Sequence, residues 1–276
     1  MLTALLFAAT ALAQDPAYDR TAKEIAEAEK PVTALSAEFG GTFTSGNAFA
    51  LAFNGGVSGK HDWKTNRFTF GTGVNLNLAK IDTNADGTLD DAERDAKLTF
   101  TSQRVFGAAR YDRFFGKLNS LYVSAGVDRD IFAGLEWRFN QQIGYSRAIV
   151  NSKTTDLDLE AGFAYTQENF KETVDADGAP VNDAVLDAHY PAIRVFLGFE
   201  HRFNDRVSIG DTIDMNENLR TTTDFRLVNT AYLATKLSDK LSLKVSHRLA
   251  FDNLPASEAF RKLDQTTQLT LVANIF

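Results

Sequence analysis

From Leu35 to the end of the chain, apolar and polar residues alternate with a period of two, in runs longer than the five or six residues of an average soluble strand. In 67–80, RFTFGTGVNLNLAK, residues Phe68, Phe70, Val74, Leu76 and Leu78 fall on one face of an extended chain. Arg67, Thr69, Gly71, Gly73, Asn75 and Asn77 fall on the other. Leu157, Leu159, Ala161, Phe163 and Tyr165 alternate likewise with Asp156, Asp158, Glu160, Gly162, Ala164 and Thr166. Leu241, Leu243, Val245, His247, Leu249 and Phe251 alternate with Ser242, Lys244, Ser246, Arg248, Ala250 and Asp252, and Ile193, Val195, Leu197 and Phe199 face away from Arg194, Glu200 and Arg202. One side of each run suits hydrocarbon and the other suits water.

About twelve such segments can be marked, near 35–45, 48–60, 66–80, 97–113, 118–130, 134–147, 155–168, 190–203, 206–216, 221–237, 240–252 and 265–276. A soluble sandwich also alternates, so length and connectivity must decide. Many segments pass ten residues, which suits strands crossing a bilayer at a tilt. The long connections, 81–96, 167–188 and 253–264, are the third, seventh and eleventh, whereas most even ones are tight turns such as His61-Asp62-Trp63-Lys64, Phe115-Gly116-Lys117, Asn204-Asp205 and Ser238-Asp239. Short turns on one side and long loops on the other predict an all-β fold, a transmembrane antiparallel up-and-down β-barrel of about 12 strands. Segments 97–113 and 206–216 are the least regular, with Arg104 and Asp211 on the face read as outward.

Three organisational units follow. Residues 1–13, MLTALLFAATALA, read as a signal peptide with an A-x-A cleavage site, 14–34 as a periplasmic segment, and 35–276 as the barrel. No later segment reaches the roughly 18 apolar residues of a membrane helix. The chain has no cysteine, which removes disulfides, thiolate metal sites and a cysteine nucleophile, and its net charge of −7 argues against nucleic acid as a partner. A secreted barrel implies the outer membrane of a Gram-negative cell, with lipid and lipopolysaccharide as surroundings. The last strand, ending in Phe276, is expected to be read by the outer-membrane assembly machinery, although the apolar residues Leu269, Leu271, Ala273 and Ile275 occupy the register opposite to Phe276.

One loop has chemistry of its own. Asp82, Asn84, Asp86, the Thr88 carbonyl, Asp90 and Glu93 stand at positions one, three, five, seven, nine and twelve of an EF-hand calcium loop, with Gly87 at six and Leu89 at eight. Oxygen donors at this spacing predict Ca2+ as a ligand of an outer loop, carried here between strand-like segments. The competing reading is an Asp/Asn/Gly turn whose side chains cap their own backbone.

The segments FGGTFTSGNAFALAF (39–53), LSDKLSLKVSHRLAFDNLP (237–255) and DQTTQLTLVANIF (264–276) resemble the salt-induced outer-membrane protein family, domain of unknown function 481. The likeness covers roughly 35 to 276. It lies in a first hairpin with Ser-Gly-Asn at its tip, an Asp-Lys-Leu-Ser-Leu-Lys strand, an Asn/Pro loop and a Thr-rich last strand. It implies an outer-membrane barrel with no assigned reaction and no catalytic residues. Asn274, where an aromatic is expected, and the loop at 82–93 depart from the family pattern.

For function, the inward charges matter most: Arg67, Asp128, Glu136, Arg138, Asp156, Asp158, Glu160, Arg194, Glu200, Arg202, Lys244 and Arg248. Paired across the lumen they close it; unpaired, they select solutes by charge. Interspersed signs favour the paired arrangement and a structural barrel or narrow solute pore. A surface barrel bridging lipopolysaccharide phosphates through divalent cations, using Asp175, Asp177, Asp183 and Asp187 beside the calcium loop, is the alternative. A calcium-dependent lipid hydrolase is weaker. His61, His189, His201 and His247 form no His-x-Ser pair, and the neighbours Ser246 and His247 point to opposite faces. Enzyme activity is therefore not expected, and His247 is read as a membrane-face residue. Trp63, Phe114, Phe115, Phe203 and Phe276 are expected to form an aromatic girdle at the turn end.

Overall fold

The computed structural model describes residues 31–275 except 46–48, 84–88, 117, 134, 171–186 and 255–261. The signal and lead-in segments through residue 30, and Phe276, lie outside the described residues. Twelve strands follow in order: β1 (Val32–Thr44), β2 (Ala50–Trp63), β3 (Asn66–Ala79), β4 (Thr99–Phe115), β5 (Asn119–Asp130) and β6 (Leu135–Asn151). Then come β7 (Thr155–Phe170), β8 (Asp187–Arg202), β9 (Val207–Asn218), β10 (Phe225–Lys236), β11 (Leu241–Asp252) and β12 (Leu263–Asn274). A short helix α1 (Asp91–Asp95) precedes β4. Each strand pairs antiparallel with its neighbours in sequence, and β1 pairs with β12 to close the barrel. The predicted segments and these strands agree in number, order and approximate position.

The polarity is inverted relative to a soluble protein. Arg67, Arg104, Asp112, Asp128, Glu160, Glu168, Arg194 and Asp214 are buried, while Phe39, Val127, Ile143, Phe163 and Leu269 are exposed on the outside. In water the hydrophobic effect would drive the second group inward. A closed barrel with an apolar outside is instead matched to hydrocarbon, where every backbone group must find its partner within the protein.

Connections sort by end. The turns at 64–65, 152–154, 203–206 and 237–240 lie at one rim, and the strand ends that the longer connections join lie at the other. The first turn is tighter than the sequence suggests: His61, Asp62 and Trp63 continue β2, and Lys64 alone adopts a left-handed backbone (φ 49). Two-residue hairpin loops need that conformation to match the strand twist.

Irregularities re-aim side chains. Asn77 faces Ser102 but Leu78 faces Phe100, so Thr101 is an extra residue that switches the faces of β4. Phe100 then points outward and Arg104 inward, which corrects the outward reading of Arg104. A register shift between Leu135 and Trp137 leaves Glu136 exposed instead of inside. Asp211 does face outward, where Asn229 Nδ2 donates to its Oδ1 at 2.6 Å.

Glycines on the inner wall make room for aromatic rings. Tyr122 of β5 faces Gly144 of β6, which faces Gly162 of β7, which faces Arg194 of β8. A Cβ at Gly144 or Gly162 would lie 2.6–2.7 Å from the Tyr122 ring or hydroxyl, so the ring lies flat along the wall across both strands. Tyr232 covers Gly210 in the same way.

The closing seam is short. β1 and β12 pair only from Ser36↔Asn274 to Phe39↔Leu271, reinforced by Ile275 N–H to the Leu35 carbonyl at 2.8 Å and Ser36 Oγ to Asn274 Oδ1 at 2.9 Å. In this cysteine-free chain, an Ala37→Cys/Ala273→Cys pair is expected to oxidise to an intramolecular disulfide in the refolded barrel, read by gel mobility with and without reductant. Failure to crosslink, with crosslinking in a shifted pair instead, would refute this register.

Candidate functional site

The lumen carries the only concentrated chemistry among the described residues, in tiers of ion pairs. At mid-height Glu160 of β7 accepts from Arg194 Nη1 (2.7 Å) on β8 and Arg110 Nη2 (2.8 Å) on β4. Arg110 also binds Asp112 (2.7 Å), and Arg194 binds Asp214 (2.9 Å) on β9. Arg194 Nη1 further donates to the Tyr122 hydroxyl at 3.0 Å, and the Arg110 guanidinium stands 4.0 Å from the Tyr122 ring centroid. The network reaches from β4 to β9.

Towards the loop rim, Glu168 of β7 accepts from both Arg138 of β6 and Arg226 of β10, and Arg226 also meets Asp252 (3.0 Å) and the Tyr190 hydroxyl (2.9 Å). Arg104 grips Asp128 side-on, Nε to Oδ1 at 2.9 Å and Nη2 to Oδ2 at 3.2 Å. Towards the turn rim, Arg67 grips Asp62 (2.6 and 3.2 Å), and Arg202 bridges Asp156 (2.8 Å) and Glu200 (3.0 Å). Lys244 meets Glu38 at 3.4 Å across the β1/β12/β11 wall.

Nearly every inward charge read from the sequence is therefore paired, as the interspersed signs suggest. Sequence alternation does not name the partners: Arg110, Asp112 and Asp214 were missed on the two least regular segments, and Asp62 because it was placed in a turn where β2 continues. Two inward charges stand apart. Among the described residues, Asp158 forms no ion pair although Asp156 and Glu160 flank it on the same face, and Arg248 forms none either.

The calcium-type loop is described in part. Asn84, Asp86 and Thr88 lie outside the described residues. Asp90 N-caps α1, its carboxylate accepting the Glu93 N–H at 2.8 Å, and Glu93 Oε2 accepts the Asp90 N–H at 3.1 Å. This reciprocal capping box forms because Asp90 and Glu93 stand three apart at a helix start. Glu93 is buried, and its Oε1 accepts both the amide and the hydroxyl of Thr83 at 2.6 Å, tying the loop's last ligand position to its second residue. The end of the 81–96 connection, read from the sequence as a loop between strands, is thus helical over Asp91–Asp95.

Histidine contacts carry no catalytic constellation. Nδ1 of His61, His201 and His247 lies 2.7–2.8 Å from the hydroxyls of Thr33, Thr155 and Thr267 respectively, all on outward faces. The turn-rim girdle is formed by Trp63 beside His61 and Tyr111, Phe115 beside Tyr145, and Phe203 against His201. Phe114 is not part of it; it turns inward beneath the Arg67 guanidinium, 5.6 Å from the ring centroid.

Residues 37–275 match the family model described as protein of unknown function, DUF481. The chain belongs to this family. Among curated proteins, none matches it in sequence. Solved structures similar to this DUF481 barrel include the NanC porin (8% identity, TM-score 0.49, covering 88% of this chain and 100% of that one). Others are the translocator domain of the autotransporter NalP from Neisseria meningitidis (14%, 0.45, 92% and 91%) and the Pseudomonas putida toluene transporter TodX (11%, 0.43, 99% and 94%). Identities this low carry over no residue and no ligand.

The mid-height network in the DUF481 barrel sets an energetic expectation. Removing one member of a buried ion cluster leaves uncompensated charge and costs about 3–5 kcal/mol. Glu160→Ala is expected at the lower end of that range, because Arg110 keeps Asp112 and Arg194 keeps Asp214, measured by urea unfolding in lipid vesicles. A loss below about 1 kcal/mol would mean that lumen water solvates the two guanidiniums.

Proposed function

We propose that this protein is an outer-membrane barrel acting as a narrow solute pore, with a structural barrel as the limiting case of a closed lumen. The observation that carries the narrowness of the lumen, and with it the range from small pore to closed barrel, is the ion-pair network running from β4 to β9 inside a closed wall. A barrel of this strand number leaves an interior that side chains can largely fill, and paired charges leave little net field to favour one sign. The inverted polarity and the family membership support the location. Lipid and lipopolysaccharide surround the wall, and the assembly machinery engages β12.

We also propose that calcium orders the loop at 82–93. Asp82, Asn84, Asp86, the Thr88 carbonyl, Asp90 and Glu93 would hold it. Support comes from the fixed end of the loop: the capping box places Glu93 beneath Thr83, and α1 starts where the loop's last positions need a turn of helix. Calcium there supplies charge that the clustered carboxylates otherwise lack. Extracellular modules bind in the range of about 10⁻⁴–10⁻³ M, so the loop would follow external calcium.

Single-channel recording of the refolded protein in a planar bilayer tests the pore. Small, steady conductance with weak ion preference is expected; silence under every condition would leave only the structural barrel. Calcium added to the loop side is expected to change that conductance, and chelator to reverse the change. Asp82→Ala and Glu93→Ala are each expected to abolish calcium binding by calorimetry while the heat-modifiable folded species persists, since the loop adds nothing to the strand ladder. Unchanged calcium affinity in both variants would refute the site.

A further inference from the structure

Arg248 is the exception among the inward arginines of this barrel. It is 9% exposed, and its Nε and Nη2 are both buried without a hydrogen-bond partner. These two groups form one edge of the guanidinium. In Arg67 and Arg104 the same edge is filled by the two oxygens of a single carboxylate, Asp62 and Asp128. A guanidinium edge of this kind matches a planar or tetrahedral oxyanion bidentately, and leaving it unmet while buried is costly.

The residues directly opposite it in the register offer hydroxyls. Thr230 of β10 and Thr266 of β12 face Arg248 directly in the register. The Thr230 hydroxyl is itself buried and unpartnered. Charged groups near Arg248 include Arg104, Asp128, Asp264 and Asp214. Asp128 is held by Arg104 and Asp214 by Arg194, and Asp264 has an interaction of its own. Arg104 adds a second cation nearby.

We propose that the Nε/Nη2 edge of Arg248, with the Thr230 hydroxyl, is a binding site in the lumen for a small soluble oxyanion of the carboxylate or phosphate class. This deepens the solute-pore reading and rests on it in one respect, that the anion reaches the lumen from solution. The site lies on the loop half of β11, so an anion entering from that rim meets it before the mid-height network.

The test uses the refolded full-length barrel in zwitterionic detergent, with inorganic phosphate as the probe and chloride replacing it at constant ionic strength. Phosphate up to about 20 mM, too dilute for a general salt effect, is expected to raise the thermal unfolding midpoint in a saturable way through mass action. Arg248→Gln is expected to weaken phosphate binding about tenfold or more, and Arg248→Lys, which keeps the charge but loses the edge, to fall between. Arg220→Gln, in an exposed connection, is expected to match the wild type. Thr230→Asp, which supplies a carboxylate opposite the guanidinium, is expected to abolish the phosphate response without loss of stability, and it keeps the test decisive if Arg248→Gln fails to fold. No saturable response in the wild type, or an equal response in Arg248→Gln, would overturn the site. A saturable response through Arg248 in a barrel that passes no current would uphold the site and discard the pore, so the two readings fail separately.

Discussion

Everything in this molecule follows from the need to satisfy backbone hydrogen bonds where the outside is hydrocarbon. A strand edge left open in a bilayer costs several kcal/mol for each unpaired group. Twelve strands paired in sequence order, with β12 returned to β1, remove the edges by closure. The closing register is the shortest of the ladders, and Ser36, Asn274, Leu35 and Ile275 supply the bonds that hold it. Once the wall is closed, side chains must divide into two sets, one for lipid and one for the lumen. The alternation along each strand is that division.

The lumen then faces its own constraint. Charges taken out of bulk water need partners, and attraction offsets the desolvation cost only with good geometry. Arginine serves here because its planar fork can bind two carboxylates at once, as Arg110, Arg194 and Arg226 do. The glycines opposite Tyr122 and Tyr232 belong to the same solution. They let rings lie flat on the wall, so that the Tyr122 hydroxyl reaches Arg194 and the Tyr232 hydroxyl reaches Glu200 at 3.1 Å. Asp158 and Arg248 stand outside these pairings, and the Nε/Nη2 edge of Arg248 is buried without a hydrogen-bond partner.

Much of the wall was legible beforehand, and the exceptions are local. Strand count, the sorting of turns and loops, and the inward faces of β3, β7, β8 and β11 follow from the period of two, because a strand cannot place neighbouring side chains on the same side. Arg104 and Glu136 were misplaced by single extra residues at Thr101 and near Trp137, since a one-residue insertion inverts every later assignment on that strand. Phe114 was read as girdle from its position near a strand end, yet its parity with Arg110 and Asp112 puts it inside. The start of α1 was also hidden, because a five-residue helix leaves no periodic signature, though Asp90 and Glu93 carry its capping box.

The sequence by itself determined the class of the fold, the polarity of its two surfaces and the ligand types available to the loop at 82–93, because those depend on residue chemistry at fixed local spacing. Only the tertiary structure decided which charges meet. Glu160 and Arg110 are fifty positions apart, and Glu168 and Arg226 fifty-eight; no local pattern records such distances. Closure and register bring strands three apart within reach across the lumen. The same geometry leaves the Arg248 edge without a carboxylate.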